Sequence, residues 1–336
     1  MNNLKSLYYI TQNKVFIQNL CLDKLENNFK VSIENINIVY WKNNNINYDN
    51  ANCVINAFAC KLPQHYQQTM PINIKWIQLD YLATEEWADE YHGLSAFINQ
   101  HKRTFFTLGF TNKTAGLIIQ DFAKLNINEK HELSKKYNIN YKKSSKKLQK
   151  VINIFIFAYI NSTSIKEIQN LYNVCTYLNY ELNIYMPDSV YNNFIEYIQN
   201  NNINYYYIIN VIPACSQIDF DKLLQLFNIL WVRGEDSFVR SQLTSIPMIW
   251  QAYIQENNAQ LDKVNGFLKK YLDFFDKKHQ EIIKKIWLNI NNSDVYYESA
   301  WRNFILILND KNYKNSLNNW NNHLKNLPKL TEEILK

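Results

Sequence analysis

The sequence predicts an α/β protein with doubly wound, mainly parallel sheets in two domains, and three observations predict it. Short apolar runs alternate with helix-compatible segments along most of the chain. The connections between them are short, as strand-helix-strand units require. At 336 residues the chain is long for one core and comfortable for two of ~150 residues. Hydrophobic residues make up 47% and aromatics 15%, enough to fill such cores.

Taken in order, Leu4 to Thr11 reads as a short helix remnant and Lys14-Val15-Phe16-Ile17 as the first strand. Strand-like runs follow at Ile36 to Trp41, Cys53 to Phe58, Lys75 to Leu79 and Thr104 to Phe110, which suggests a parallel sheet with helices on its faces. Lysines then crowd between Glu129 and Lys150, either as a solvated helix and linker or as a basic patch for a partner. The second half is more regular. Strands are expected at Val151 to Tyr159, Leu182 to Tyr185, Tyr205 to Ile212, Leu230 to Val232 and Met248 to Ala252. Helices fall between them, at Ser164 to Leu178, Asp188 to Gln199, Phe220 to Phe227 and from Ser237 on. After Leu261 the pattern is helical, with Trp287, Trp301 and Trp320 expected as core anchors. The expected division is 1–130, a linker at 131–150, 151–295, and terminal helices at 296–336.

Composition narrows the function. A net charge of +6 is too mild to mark a nucleic-acid binder. The most apolar run, Val151 to Ile160, is too short to span a membrane. With no signal-peptide pattern at the N-terminus, a soluble cytoplasmic protein is expected. Cys21, Cys53, Cys60, Cys175 and Cys215 are odd in number and form no C-x-x-C, and the six histidines form no H-x-x-x-H. No metal site is expected.

The candidate chemistry gathers where strands end. Ile229-Leu230-Trp231-Val232-Arg233-Gly234-Glu235-Asp236-Ser237 reads as strand, tight turn and helix start, a place where free backbone N–H groups suit a phosphate. An ordinary strand-to-helix loop has the same pattern, but only five glycines occur in the chain, so Gly234 is expected to be needed for its backbone. Phe157-Ala158-Tyr159 ends an earlier strand and could flank a base or sugar, or simply pack. In Ile212 to Asp221, Gln217 could pair with a base edge and Phe220 stack on it; a polar loop with Asp219 or Asp221 capping the next helix fits equally. No G-x-G-x-x-G, Walker A or G-x-S-x-G motif is present.

Several blocks in order resemble the EarP-type protein-arginine rhamnosyltransferases. Asn56-Ala57-Phe58-Ala59-Cys60-Lys61-Leu62-Pro63 is similar to that family's E-x-F-A-C-x-L-P. Leu79 to Trp87 with His92-Gly93-Leu94 is similar to its E-Y-L-S-A-E segment and following His-Gly-Leu, and Gly109 to Leu117 to G-F-T-x-K-T-G-G-L. Val232 to Gln242 reads as V-R-G-E-D-S-F-V-R-x-Q, and Pro247 to Gln255 as P-x-x-W-x-x-Y-x-Q.

The resemblance implies a two-domain glycosyltransferase B fold with the domains facing a cleft. It implies transfer of rhamnose from dTDP-rhamnose, with inversion and without a metal or other cofactor, to an arginine of translation elongation factor P. By position, Gln217 and Phe220 would hold the thymine end, Tyr159 would line the nucleotide pocket, and Asp236 with Ser237 would meet the diphosphate. Glu235 would face the reacting centre, supported by Arg233. The family's opening strand with D-N-F-G-D-I-G is not found after Met1, so a truncated N-terminal domain is expected. Without the base which that motif supplies, turnover is expected to fall by ~10²- to 10⁴-fold, or to be replaced by binding of nucleotide-sugar or elongation factor P alone. Ala214 and Ala115 stand where the family has Phe and Gly.

Overall fold

The computed structural model describes residues 7–11, 30–33, 36–40, 51–58, 60–119, 124–140, 150–291 and 295–336. The chain forms two units, Met1–Asp80 with Gly93–Phe106, and Tyr81–His92 with Thr107–Lys336.

In the first unit, β1 (Leu7–Thr11), β2 (Lys30–Ile33) and β3 (Ile36–Tyr40) form a sheet in the order β1-β3-β2, with β1 parallel and β2 antiparallel to β3. The helix expected over Leu4 to Thr11 is therefore corrected to a strand over Leu7–Thr11. Leu-Tyr-Tyr-Ile-Thr is rich in aromatic and β-branched residues, which suit a pleated surface better than a helix. The strand expected at 14–17 lies outside the described residues.

Next come β4 (Cys53–Ala57), helix α1 (Gln64–Thr69), β5 (Lys75–Leu82), α2 (Trp87–Tyr91), β6 (Ser95–Ile98) and β7 (His101–Leu108). Their sheet runs β4-β5-β7-β6, with β4 parallel to β5 but β6 antiparallel to β7. The parallel sheet expected in this half is thus corrected to a mixed one. Asn99 takes φ of 55° in the tight Asn99-Gln100 turn, which returns β7 directly alongside β6. Val54, Tyr66, Met70, Ile74 and Trp76 pack as the core beneath this sheet.

The second unit follows the sequence reading closely. After α3 (Ile127–Lys136) the chain alternates β8 (Lys150–Phe157), α4 (Ser162–Tyr177), β9 (Tyr180–Pro187), α5 (Asp188–Asn200), β10 (Ile209–Ile212) and α6 (Gln217–Leu223). It continues through β11 (Ile229–Arg233), α7 (Asp236–Gln242) and β12 (Met248–Gln251). All five strands are parallel, in the order β10-β9-β8-β11-β12. That order reverses direction between β8 and β11, so the crevice beyond their carboxyl ends is the switch point where open sheets bind ligands. The strand expected from Tyr205 begins only at Ile209, because Tyr205 and Tyr207 turn their rings onto Phe194. Lys136 in α3 pairs with Asp219 at 2.7 Å; the lysines at 142–147 lie outside the described residues.

Helices α8 (Gln260–Leu272), α9 (Lys277–Ile290), α10 (Ala300–Ile307), α11 (Lys311–Lys325) and α12 (Leu330–Leu335) complete the chain. Val264, Phe267, Leu268 and Tyr271 in α8 recur at helical spacing and are buried together. Trp287, Trp301 and Trp320 are all buried, as expected from the sequence. Trp287 donates its indole N–H to the Met248 carbonyl (3.1 Å) and Trp320 to Gln242 Oε1 (2.9 Å), which ties the terminal helices to β12 and α7. Phe238 lies stacked on Trp250 with 4.2 Å between centroids, at the centre of this aromatic core. Among the described residues no helix is long and apolar enough to cross a membrane.

Because Trp320 fills core volume and also satisfies the Gln242 amide, Trp320→Ala should destabilise the second unit by about 3–5 kcal/mol. Urea unfolding followed by tryptophan fluorescence would check this; a loss below ~1 kcal/mol would contradict the anchoring role.

Candidate active site at the sheet switch point

The parallel register brings the candidate residues together. Phe157 pairs with Val232, and Arg233 with Gln251, so the segments leaving β8, β11 and β12 emerge side by side. Gln251 fixes the first of them: its side chain accepts from the Tyr159 N–H (2.8 Å) and donates to the Tyr159 carbonyl (3.1 Å). The Tyr159 ring meets Tyr253 edge-on, with centroids 5.6 Å apart. Burial pushes the Tyr159 phenol up, and the Arg233 charge opposes that shift. Arg233 itself sits over two aromatic rings, its guanidinium carbon 4.9 Å from the Phe157 centroid and 4.7 Å from that of Tyr159. A guanidinium stacked in this way keeps donors free for an anion while its stem is held.

The turn after β11 takes its shape from Gly234, whose φ is +67°. A Cβ there would meet nothing within 4 Å, so the glycine is required by the backbone conformation and not by crowding. The Gly234 carbonyl accepts from the Trp250 indole at 2.9 Å, which pins the turn to β12. The Ser237 hydroxyl donates to the Arg233 carbonyl and closes the loop from the other side. Ser237 is buried, whereas Asp236 is exposed.

Asp236 belongs to a charged chain that reaches the Gln217 loop. Arg240 donates to Asp236 through Nε (2.8 Å) and to both Asp221 oxygens through Nη1 (2.9 and 2.7 Å). Gln217 Nε2 in turn donates to Asp221 at 3.3 Å. Phe220, half-buried, presents its ring to Phe155 and Phe157 at 5.9 and 6.1 Å. Asp219, the other acid of that loop, accepts from Lys136 (2.7 Å) and Tyr137 (2.6 Å), and those bonds hold its carboxyl below the usual range. Ser216 is the actual cap of α6, through its hydroxyl and the Asp219 N–H at 3.2 Å.

Glu235 sits at the cap position of α7 but makes no cap bond with its side chain. Its carboxylate turns outward instead. Oε2 accepts from the Leu82 N–H (2.9 Å) and Oε1 from the Lys263 ammonium (2.7 Å). Thus two stretches of sequence, 153 residues apart, meet on one carboxylate. Arg233 contacts the aromatic rings, and the ionic partner that Glu235 makes is Lys263. Sequence reasoning missed Lys263; its only signal was the stripe Lys263, Gly266, Lys270 along one side of an otherwise amphipathic helix.

The first unit carries a cavity of about 730 Å³ lined by Asn56, Trp76, Gln78, Asp80, Arg103 and Phe105 among others. Trp76, Gln78 and Asp80 alternate along β5 and so share a face. Burial pushes the Asp80 carboxyl up, and the Arg103 charge counteracts it. Among the described residues no cluster of His, Cys, Asp and Glu is arranged to hold a metal ion.

Since Gly234 is constrained by φ alone, Gly234→Ala should cost about 1–2 kcal/mol, the penalty of placing a Cβ in the left-handed region. Denaturant unfolding of the variant would measure it, and an unchanged midpoint would contradict the role given to this backbone.

Comparison with known proteins places the chain in a family. The model of the family described as "Elongation-Factor P (EF-P) rhamnosyltransferase EarP" matches residues 7–336. The protein-arginine rhamnosyltransferase of Pseudomonas putida is 28% identical over 274 residues, covering 75% of this chain and 69% of that protein. Its counterpart in Neisseria meningitidis serogroup B is 24% identical over 324 residues, covering 90% and 81%. The solved structure described as "Structural basis for EarP-mediated arginine glycosylation of translation elongation factor EF-P" superposes with a TM-score of 0.55 at 19% identity, covering 82% of this chain and 80% of that one. The fold is that of the glycosyltransferase B class. The chain belongs to the EarP family of elongation-factor P rhamnosyltransferases, and is a glycosyltransferase.

Proposed function

We propose that this chain transfers rhamnose from dTDP-rhamnose to an arginine of elongation factor P, with inversion at the sugar carbon. The observation that carries the reading is Glu235, a carboxylate fixed on both oxygens at the switch point of the sheet and next to the Gly234 turn. The relatives' names as protein-arginine rhamnosyltransferases support the donor sugar and the acceptor side chain. No observation on the described residues favours a chain that binds without turnover.

In this reading the thymine stacks against Phe220 and meets the Gln217 amide, while Tyr159 borders the ribose. The diphosphate lies over the turn from Gly234 to Ser237, where the first N–H groups of α7 have no partner within the helix. Arg233, held by its rings, supplies positive charge as the sugar-phosphate bond lengthens. Together these groups take over the charge stabilisation that a divalent ion gives in other nucleotide-sugar enzymes. The acceptor nitrogen attacks the anomeric carbon, the bond to the phosphate oxygen breaks, dTDP leaves with that electron pair, and the attacking nitrogen gives up one N–H proton to solvent. A guanidinium resists deprotonation at any physiological pH, so orienting it matters as much as removing its proton. Glu235 suits the orienting role, because a fixed carboxylate pairs with a guanidinium in a defined plane. The exposed Asp236 turns its carboxylate to Arg240, which leaves its backbone N–H for the diphosphate and lessens repulsion.

The test is mass spectrometry of elongation factor P after incubation with this chain and dTDP-rhamnose. One added deoxyhexose on an arginine is expected, and an unmodified protein would overturn the proposal. Glu235→Gln should lower transfer by about 10²-fold or more, the scale on which a positioned electrostatic group acts, while calorimetric affinity for dTDP-rhamnose stays within about threefold. Equal loss of donor binding and of transfer would contradict a role confined to the reacting centre.

A further inference from the structure

The arrangement around Glu235 points to a residue that acts through it. A glutamate at the start of a short helix can point many ways, and one backbone N–H restrains only one of its oxygens. Lys263 restrains the other at 2.7 Å, with both side chains only partly exposed. What makes this lysine more than a surface partner is how firmly its own helix is docked. The Thr84 hydroxyl donates to the Lys263 carbonyl at 2.5 Å, and the Lys270 ammonium to the Thr84 carbonyl at 2.5 Å. Between them, Gly266 lets the helix approach so closely that a Cβ would stand 2.9 Å from the Thr84 oxygen. Thr84 is fully buried and lies two residues beyond Leu82, the residue whose N–H holds the other oxygen of Glu235. Both grips on the carboxylate therefore come from one packed body of strand end and helix.

We infer that Lys263 is a positioning residue for transfer: it fixes the plane and direction of the Glu235 carboxylate without itself touching the donor. The inference rests on the role proposed for Glu235. Its chemical content is specific, since a cation at the end of a long side chain, and not the packing of that side chain, holds the carboxylate oxygen. Lys263→Met retains most of the apolar stem but loses the ammonium; Lys263→Arg retains the charge and offers donors at nearly the same reach.

The experiment compares wild type, Lys263→Met, Lys263→Arg, Glu235→Gln and the Glu235→Gln/Lys263→Met double variant in the transfer assay, with thermal melts alongside. Lys263→Met should lower kcat about tenfold with donor KM within about twofold; Lys263→Arg should restore most of the loss. In the Glu235→Gln background the lysine substitution should have no further effect on kcat. A fall in melting temperature with no rescue by arginine, or a full further loss in the double variant, would overturn the inference. A readout independent of turnover is lysine labelling followed by mass spectrometry, in which Lys263 should react at least about threefold faster in Glu235→Gln than in wild type as its carboxylate partner is removed. Equal labelling would overturn the pair. If wild type transfers nothing while the labelling contrast holds, the proposed reaction fails and the pair stands.

Discussion

The second unit's site depends on one constraint, that a carboxylate at the end of β11 is held by groups from two other parts of the chain. Glu235 accepts from the Leu82 N–H and from Lys263; the first bond needs the strand end at Leu82, the second helix α8, and both the turn at Gly234. Partly buried charge-assisted hydrogen bonds of this kind are stronger than exposed ones and lose their value when any partner shifts. The packing that secures them is dense. Gly266 lies against Thr84, and Phe238, stacked on Trp250 and meeting Phe267 edge-on, fills the space behind α7 and α8. The rigid core and the half-buried carboxylate thus belong to one structural unit.

The same sheet edge separates two kinds of task. Arg233, Phe157, Tyr159 and Phe220 present rings and a stacked cation, suited to a nucleotide's flat and anionic parts. Glu235 and Lys263 form a fixed ion pair, which in the proposed reaction orients the acceptor. A third set, Gln217, Asp221, Arg240 and Asp236, joins the ends of the proposed donor site through hydrogen bonds. Within it Arg240 balances two acids, so in that proposal the carboxylate of Asp236 does not stand alone beside the diphosphate.

Much of the second unit was legible because its strands are continuous apolar runs with short connections, which leave few topologies open. The turn at Gly234 was legible for a related reason: a rare glycine between a strand and good capping residues has a local meaning. Contacts between distant segments were not legible in this way. Nothing around Leu82 signals that its N–H meets Glu235, and Lys263 looks like any lysine on an amphipathic helix. The family resemblance implies that Arg233 supports Glu235; its guanidinium lies over Phe157 at the end of β8 and Tyr159 just beyond it, and Glu235 pairs with Lys263. In the first half, the helix expected over Leu4 to Thr11 misses a strand at Leu7–Thr11 because five residues are too few to show a period, and β6 was overlooked because its hairpin turn, Asn99-Gln100, lacks the usual glycine.

The most direct test of the central claim is a crystal structure of this chain with dTDP bound. The account predicts the thymine against Phe220 and Gln217, with the diphosphate over the Gly234 to Ser237 turn and within reach of Arg233. A nucleotide found elsewhere, for instance in the cavity lined by Trp76 and Arg103, would contradict it.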